Sequence, residues 1–370
     1  MDFNNLGLNQ NTINILKKSG IVNPTPIQEK AIPSIKNKYD VIGEAATGTG
    51  KTLAFLIPLI ENISVKDNSL QALIVSPTRE LAIQITNEAK KLTENTNINV
   101  LNIYGGKDIG SQLKKLSNNV HIVIATPGRL LDHLKRNTIK LNKLKAIVLD
   151  EADQMLFMGF KNEIEVIMKD VPKKAQRLCF SATMDSAVKK LAYRYMNDPT
   201  IISVKSEEKL TLDNIKQEIV ETIDRLKRDS LCKVLDEDNP FMAIIFCRTK
   251  RRVDELEVVL HQRGYNCAKL HSDIQQSKRE RIMKSFRNAD IQYLIATDVI
   301  SRGVDISGVD YIYNYDIPET VNDYIHRIGR TGRAGNEGYT CLFVDPKDEY
   351  FLKNIEKELK LNISRRDISL

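Results

Sequence analysis

Short apolar runs rich in valine and isoleucine alternate along this chain with longer amphipathic stretches. The apolar runs of the first half lie at residues 39–45, 72–76, 98–105, 121–126, 146–150 and 177–182. Continuous apolar strands that alternate with helices are typical of a parallel sheet whose two faces are both covered. The pattern therefore predicts an α/β fold.

The alternating pattern is interrupted near the middle of the chain. Residues 204–215 ("VKSEEKLTLDNI") are polar and lack apolar periodicity, and apolar runs then resume with "KQEIVETI" and "FMAIIFC". A chain of 370 residues is also too long for one core of ordinary size. We therefore expect two α/β domains of similar size, at residues 1–205 and 215–370, joined by a linker at 206–214.

The chain is basic overall, and the excess charge is unevenly distributed. It has 55 Lys and Arg against 48 Asp and Glu, and the first 205 residues hold 28 of the basic residues against 19 of the acidic ones. This excess is compatible with a polyanionic partner, although many other proteins carry as much. Charge alone therefore identifies no partner.

Cysteine spacing and hydropathy indicate the cellular compartment in which the protein functions. The five cysteines stand singly with no CxxC pair, which disfavours both a zinc site and a disulfide framework. No apolar run approaches the roughly 20 residues that span a bilayer, and the N-terminus lacks the layout of a secretory signal. We expect a cytoplasmic protein, in a reducing compartment, with no membrane partner.

The segment "AATGTGKT" at residues 45–52 follows a predicted strand and precedes the helical pattern "LAFLIPLIENI". A glycine-rich turn that opens a helix presents backbone N–H groups and the positive helix end to an anion. In this motif the lysine, Lys51, reaches the β- and γ-phosphates of a nucleotide, and the hydroxyl of Thr52 holds Mg²⁺. Ala45 stands where the strict motif has glycine. The residues expected to cradle the phosphates are Ala46, Thr47, Gly48, Thr49 and Gly50.

About a hundred residues later, the apolar run "AIVLD" ends in the acidic segment Asp150-Glu151-Ala152-Asp153. An acid at the end of a buried strand is placed to hold Mg²⁺ through water, which assigns Asp150. Glu151 can orient or deprotonate an attacking water. Together with Lys51, these acids predict a site that hydrolyses a nucleoside triphosphate.

Both segments belong to an ordered series of motifs that extends from residue 3 to about residue 335. The series is "GIVNPTPIQ" (20–28), "AATGTGKT" (45–52), "PTRELA" (77–82), "GG" (105–106), "TPGR" (126–129), "DEAD" (150–153), "SAT" (181–183), "IIFCRTK" (244–250), "HSDIQQSKRERIMKSFR" (271–287), "ATDVISRGVDI" (296–306) and "HRIGRTGR" (326–333). This set resembles the DEAD-box RNA helicases. The resemblance implies two tandem RecA-like domains, each a mostly parallel sheet covered by helices, with ATP, Mg²⁺ and single-stranded RNA bound in an interdomain cleft.

The resemblance also implies roles around the nucleotide. Gln28 corresponds to the glutamine that reads adenine, since an amide offers both a donor and an acceptor. Phe3 stands at the spacing of an aromatic that stacks on adenine, with a packed N-terminal aromatic as the alternative. Gly303 and Asp305 correspond to residues beside the nucleotide and its ribose.

Further roles concern the coupling of hydrolysis to RNA. Ser181 and Thr183 are expected to form hydrogen bonds to the acidic box and to His326. The motif "HRIGRTGR" places three guanidiniums in eight residues around two glycines, a poor composition for a helix. By the resemblance, Arg330 and Arg333 reach the γ-phosphate as arginine fingers, and such a finger accelerates phosphoryl transfer by roughly 10³–10⁵.

The expected RNA contacts are glycines, hydroxyls, a proline, a glutamine and single arginines, groups that suit phosphate and sugar oxygens. We therefore expect binding that is salt-dependent and nearly independent of base sequence. The residues are Pro77, Thr78, Arg79, Gly105, Gly106, Thr126, Gly128 and Arg129 in the first domain, and Arg248, Gln276, Arg279 and Thr297 in the second.

The expected function is RNA-stimulated ATP hydrolysis with local unwinding of short RNA duplexes by ATP-driven domain closure. An ATP-dependent RNA clamp that serves as a platform for partner proteins is the alternative, and a DNA translocase is disfavoured by the motif set. Frequent Ile, Lys and Asn indicate an AT-rich, bacterial genome. Ribosome assembly and mRNA turnover, each with its own protein partners, both fit. The sequence contains no third RNA-binding module after these motifs, which leaves open a minimal helicase or a piece of a longer chain.

Overall fold

A computed structural model describes residues 2–46, 48–106, 109–116, 119–204, 214–298, 309–332 and 337–368. The chain forms two compact units, Met1–Glu207 and Glu208–Leu370. The division lies inside the predicted linker, most of which is outside the described residues. The domain boundaries stay a prediction.

The first unit is built on a parallel sheet of seven described strands. Their order is β3-β4-β2-β5-β6-β1-β7, and every pairing is parallel. The strands are β1 (Val41–Ala45), β2 (Ala72–Val75), β3 (Val100–Ile103), β4 (Ile122–Ala125), β5 (Ala146–Leu149), β6 (Gln176–Ser181) and β7 (Thr200–Val204).

Alternate residues of the central strands pack into different cores. In β2, Ala72 and Ile74 lie in one buried cluster, whereas Leu73 and Val75 lie in another. All four side chains are buried because helices cover both faces of the sheet. The helices of this unit are α1 (Gln10–Lys18), α2 (Pro26–Lys36), α3 (Lys51–Glu61), α4 (Arg79–Leu92), α5 (Ile109–Leu116), α6 (Pro127–Lys135), α7 (Ala152–Phe157), α8 (Lys161–Asp170) and α9 (Ser186–Tyr195), preceded by a 3₁₀ helix at Phe3–Leu6.

The second unit contains another parallel sheet of seven described strands. Their order is β10-β11-β9-β12-β13-β8-β14. The strands are β8 (Ile215–Glu221), β9 (Ala243–Phe246), β10 (Cys267–Leu270), β11 (Tyr293–Ala296), β12 (Tyr311–Asn314), β13 (Gly338–Val344) and β14 (Ser364–Arg365). The helices are α10 (Lys227–Asp238), α11 (Lys250–Gln262), α12 (Gln276–Arg287), α13 (Val321–Ile328) and α14 (Glu349–Leu359), with a 3₁₀ helix at Pro346–Asp348.

The two sheets confirm the α/β prediction and add two edge strands that the sequence did not predict. β7 alternates between exposed and buried positions, and Ile201 within it is 60% exposed. β14 has only two residues, both exposed. A search for continuous apolar runs overlooks such edge strands. Within the described part of the chain, every helix is too short or too polar to serve as a membrane span.

Candidate functional site

The strand order of the first unit brings three of the motifs side by side. β5, β6 and β1 are neighbours, and their carboxyl ends carry the acidic box, the segment "SAT" and the phosphate loop, respectively. Ligands of open parallel sheets bind outside the carboxyl ends of the strands. The fold therefore assembles the groups expected to act on a nucleotide at one edge.

The phosphate loop turns sharply into α3 through two left-handed glycines. Gly48 has φ of 84° and Gly50 has φ of 91°, a conformation that residues with a Cβ rarely adopt. A Cβ on Gly50 would also collide with the side-chain amide of Gln28. At Gly48 and Gly50 the backbone before α3 therefore carries no Cβ that would hinder an approaching phosphate. Thr47 lies outside the described residues.

Lys51, the first residue of α3, is held at the base of this loop. Its side chain is 7% exposed, and Nζ donates a hydrogen bond of 2.7 Å to the carbonyl oxygen of Ala45. Thr49 Oγ1 donates a bond of 2.7 Å to the carbonyl of Ala46. The neighbouring Thr52 is half-buried. The lysine and the hydroxyl therefore begin α3 at the mouth of the loop.

Gln28 connects the loop to the start of α2. Its Oε1 accepts a hydrogen bond of 3.0 Å from the N–H of Thr25, and its Nε2 donates one of 3.0 Å to the carbonyl of Gly50. An amide keeps one more donor and one more acceptor position. Adenine recognition by Gln28 stays a prediction.

Phe3 is placed differently from the stacking role suggested by the resemblance. Its side chain is 1% exposed and belongs to the core cluster that also contains Leu6 and Ile27. A ring packed on all sides offers no face to a base, and this burial agrees with the alternative of a packed N-terminal aromatic. Adenine stacking would require the ring to leave this core.

The carboxylate of Asp150 is buried at the end of β5. The side chain is 3% exposed, and burial raises its pKa to about 6, while the nearby Lys51 ammonium acts in the opposite direction. A divalent cation beside this carboxylate would supply the positive charge that removal from water makes necessary. The site therefore fits Mg²⁺ held through Asp150 and the hydroxyl of Thr52. No group of three His, Cys, Asp or Glu side chains able to hold a metal occurs among the described residues.

Glu151 lies at the strand-to-helix turn in a strained backbone conformation. Its φ is 51° and its side chain is 7% exposed. A residue with a Cβ in the left-handed region costs of order 1–3 kcal/mol, and such strain is concentrated at functional sites. Glu151 occupies the N-cap position of α7 and makes no capping hydrogen bond through its side chain.

Asp153 ties the acidic box to the segment "SAT". Its Oδ2 accepts hydrogen bonds of 3.0 Å from both the backbone N–H and the hydroxyl of Thr183. The N–H of Asp153 donates a bond of 3.2 Å to Ser181 Oγ. Three hydrogen bonds therefore connect the acidic box to the segment "SAT". The further link to His326 stays a prediction.

The first-unit motifs expected to contact RNA lie on the other half of the same edge. The segments "GG", "TPGR" and "PTRELA" follow β3, β4 and β2, which are adjacent strands. Thr78 and Thr126 are the N-cap residues of α4 and α6, and Thr78 Oγ1 accepts from the N–H of Leu81. Pro77 and Gly128 flank these caps. Helix N-termini present N–H groups that suit phosphate oxygens.

The guanidinium of Arg79 lies close to the glycine pair of this edge. A Cβ on Gly105 would come within 3.2 Å of Arg79 Nη2, and one on Gly106 within 2.5 Å of Arg79 Nη1. The two glycines therefore make room for a guanidinium. The structure therefore brings Arg79 next to two glycines that lie more than twenty positions later in the sequence.

The second unit groups its expected RNA contacts at neighbouring strand ends. Arg248 follows β9, Thr297 follows β11, and α12, which begins at Gln276, follows β10. Gln276, Arg279 and Thr297 are buried, at 4%, 5% and 7% exposure. Arg248 is held by Asp348, with Nη2 to Oδ1 at 3.2 Å.

Part of the segment "HRIGRTGR" is helical, contrary to the sequence prediction. His326, Arg327 and Ile328 form the last residues of α13, where basic side chains interact favourably with the helix dipole. Arg327 is 2% exposed, and its Nη2 donates 2.7 Å to Asp298 Oδ2. Arg330 follows the helix and is 4% exposed.

Comparison with known proteins accounts for this arrangement. Residues 25–191 match the family described as DEAD/DEAH box helicase, and residues 226–335 match the helicase conserved C-terminal domain. The ATP-dependent RNA helicase CshA of Limosilactobacillus reuteri is 48% identical over 96% of this chain and 72% of its own length. The DEAD-box ATP-dependent RNA helicase CshA of Geobacillus kaustophilus is 47% identical over 98% of this chain and 78% of its own length. The chain belongs to the DEAD-box ATP-dependent RNA helicases.

A solved member of the DEAD-box family has the same fold. S. cerevisiae Dbp5 bound to RNA and ADP BeF3 superimposes with a TM-score of 0.87 at 31% identity, covering 99% of this chain and 95% of the Dbp5 chain. The tandem RecA-like architecture and the assignment of the enzyme as an ATP-dependent RNA helicase are therefore confirmed. Four DEAD-box site residues predicted from the sequence lie outside the described residues, namely Thr47, Gly303, Asp305 and Arg333.

Sequence reasoning missed two buried residues beside the DEAD-box motif "TPGR". Gln112, on α5, is 4% exposed, and its Oε1 accepts from Arg129 Nη1 at 3.3 Å. The same oxygen lies 3.1 Å from Nε2 of His133, which is fully buried on α6. His133 Nδ1 lies 2.8 Å from Thr138 Oγ1. Burial lowers the pKa of His133, so a neutral ring orients the amide that holds Arg129. A histidine four residues after Arg129 on an amphipathic helix was the available signal.

Proposed function

We propose that this protein hydrolyses ATP in an RNA-stimulated reaction and uses the resulting domain closure to unwind short RNA duplexes locally. The observation that carries the proposal is the adjacency of the phosphate loop, the acidic box and "SAT" at the ends of β1, β5 and β6. These loops hold the groups needed to bind a triphosphate, to activate the attacking water and to couple hydrolysis to RNA.

Each residue of the nucleotide site receives a role from its chemistry. Lys51 would move from the carbonyl of Ala45 to the β- and γ-phosphates. Thr52 and Asp150 would hold Mg²⁺, which neutralises phosphate charge when bound. Glu151 would orient the attacking water and accept its proton. Ala46, Thr47, Gly48, Thr49 and Gly50 supply backbone N–H groups, and Gln28, Gly303 and Asp305 would contact the nucleoside.

RNA would bind through its backbone along the twelve motif residues of the two units. The grouping of Arg79 with the glycine pair, and of Arg129 with Gln112, supports fixed guanidiniums for phosphates. Dbp5, which shares this fold, has been solved with RNA and ADP BeF3. The same ligand classes, RNA and a nucleotide, are proposed for this chain.

RNA stimulation would follow from groups that the second unit contributes on closure. Arg330 and Arg333 would neutralise charge developing on the γ-phosphate, and His326 would contact "SAT". Because Asp153 and Thr183 join "SAT" to the acidic box, closure and hydrolysis would be coupled through one pair of side chains.

The test is RNA-dependent ATP turnover in Lys51→Ala and Glu151→Gln, with Lys66→Ala as a control at an exposed lysine of the same unit. Both site variants should lose more than about 99% of turnover, because each removes a group that stabilises the transition state. The control should keep wild-type turnover. Normal turnover in either site variant at matched RNA concentration would overturn the proposal.

A strand-separation assay on a short RNA duplex tests the unwinding step. We expect separation that requires ATP, and stimulation by single-stranded RNA but not by single-stranded DNA, because 2′-hydroxyls distinguish the two. Slow RNA release with ATP and little strand separation would instead indicate an RNA clamp. Equal stimulation by DNA would indicate a translocase.

For the cellular role we propose RNA metabolism in a bacterial cytoplasm, in ribosome assembly or mRNA turnover. The relatives named above come from bacteria, and all five cysteines are free thiols, as in a reducing compartment. Ribosome sedimentation profiles and mRNA half-lives in a deletion strain distinguish the two pathways. Unchanged results in both would refute this role.

A further inference from the structure

A cavity lies at the amino ends of the strands in the first unit, opposite the edge that carries the motifs. Its wall includes residues at the starts of β2, β5 and β6, and its volume is about 460 Å³. Small-molecule sites occupy roughly 300–1,000 Å³. Because the four-residue strands between the two edges are about 13 Å long, the cavity is separate from the nucleotide site.

The cavity is lined by an excess of positive charge. Lys38, Lys143, Lys145 and Lys174 face a single acid, Asp67. A hydrogen bond from Ser69 and the charges of Lys143 and Lys145 keep the pKa of Asp67 low, so that it stays ionised. In the described part of the chain, none of these four ammoniums forms an ion pair, whereas Lys91 and Lys36 pair with glutamates. The lining therefore carries three uncompensated positive charges.

A fully buried amide organises the wall. Gln71 is 0% exposed, and its Oε1 accepts a hydrogen bond of 2.6 Å from Lys145 Nζ. Its Nε2 donates bonds of 2.8 Å to the carbonyls of Ser64 and Asp67. One buried side chain therefore fixes both the loop that forms the rim and the ammonium of Lys145, which keeps two more N–H donors.

We propose that this cavity binds a compact anion that carries several phosphate groups. Net charge of +3 matches such an anion, and charge-assisted bonds to phosphate are stronger than neutral ones. A concave site of this volume suits a small ligand, whereas single-stranded RNA follows an extended basic groove. The proposal is independent of the proposed function, since none of these lysines belongs to the motifs.

The test is calorimetric titration of the full chain with sodium tripolyphosphate, in a Lys51→Ala background that weakens anion binding at the phosphate loop. Saturable binding of one ion is expected. The variant Lys143→Met/Lys174→Met removes two exposed ammoniums that make no described hydrogen bond, so the fold should persist. The affinity for tripolyphosphate should fall about tenfold, because the variant removes two ion pairs and each exposed ion pair raises affinity by up to roughly fivefold.

The matched control is Lys189→Met/Lys190→Met, which changes the net charge equally at exposed positions of α9. It should bind within about twofold of the parent, allowing for screening of distant charges. A second variant, Lys145→Met, should lose up to about fivefold in affinity, which is more than the control loses. Equal losses in cavity and control variants, or no saturable binding, would overturn the proposal.

Two further arms identify the source of the phosphates and exclude RNA. Titration of the cavity and control variants with ATP in the same background tests whether a nucleotide's phosphate chain occupies the cavity. Loss of ATP affinity in the cavity variant alone would identify the nucleotide as an occupant, and an ATP affinity equal in the two variants would leave inorganic polyphosphate as the ligand. Single-stranded RNA should bind the cavity variant as tightly as the control. Loss of RNA affinity without loss of tripolyphosphate affinity would show a nucleic-acid surface and refute the proposal.

Discussion

Replacing Asp150 by asparagine should stabilise the first unit while it abolishes catalysis. Asp150 is fully buried, and its pKa of about 6 lies about two units above the ordinary value of 3.8. One unit corresponds to about 1.4 kcal/mol, so holding this carboxylate ionised lowers the free energy of unfolding by about 3 kcal/mol as an upper bound. Asparagine keeps the acceptor for the N–H of Glu151, at 3.1 Å in the wild type.

The pH dependence of stability determines which of the two proteins, variant or wild type, is the more stable. Between about pH 4 and pH 6 the folded wild type binds a proton that the unfolded chain has released, so wild-type stability falls as the pH rises through this window. Above pH 6 the wild-type free energy of unfolding has fallen by the full amount, whereas the Asp150→Asn variant has no carboxylate and shows no such fall. The variant should therefore equal the wild type near pH 4 and exceed it by up to about 3 kcal/mol at pH 8, or about 6–12 °C in melting temperature.

Urea denaturation in EDTA, followed by circular dichroism at pH 5, 6, 7 and 8, measures the difference. Asp153→Asn is the control: its carboxylate accepts two hydrogen bonds from Thr183, so this variant should be destabilised by about 1.5–3 kcal/mol. ATP turnover should be lost in Asp150→Asn. A variant no more stable than the wild type at pH 8, or a difference that is the same at pH 5 and pH 8, would refute the reasoning.

Three shorter predictions test other contacts. Gly106→Ala should displace the Arg79 guanidinium, which lies 2.5 Å from the added Cβ, and should weaken RNA binding about tenfold in a fluorescence anisotropy assay while ATP affinity is unchanged. His133→Leu should weaken RNA binding about threefold to tenfold, because Gln112 loses the partner that orients it; His133→Gln should restore part of the affinity. Arg366→Leu should destabilise the second unit by about 1–3 kcal/mol in urea, because this side chain bonds two carboxylates and a tyrosine hydroxyl near the C-terminus; unchanged unfolding would contradict that assignment.

Local patterns in the sequence predicted the strands that are buried on both faces and the loops that follow them. The runs that became β2, β4 and β5 are continuous because each is covered on both sides. β7 is half-exposed and β14 has two residues, so neither has a signal of this kind.

Other features depended on contacts between distant residues. The burial of Phe3 follows from packing against the first core, and the helical start of "HRIGRTGR" follows from Arg327, whose guanidinium is neutralised by Asp298. The pairing of Gln112 with Arg129 and the cavity beside Gln71 arise only when separate segments meet. A single sequence contains no direct record of these contacts.

The order of strands determines how an RNA strand and a nucleotide can influence each other within the first unit. Backbone bonds run along the carboxyl edge from Thr126 N–H to the carbonyl of Ile103, from Ser76 N–H to that of Ala125, and from Asp150 N–H to that of Val75. These bonds join β3, β4, β2 and β5 into one row, and the last three of these strands are buried on both faces. Close-packed strands of this kind do not slide independently, so RNA bound at Arg79 should leave the backbone of Asp150 where it is. Stimulation of hydrolysis therefore has to come from side chains that move, or from groups that the second unit supplies. A variant restricted to the first unit should accordingly bind ATP without RNA-stimulated turnover, and RNA stimulation in that fragment would show that the row transmits the signal itself.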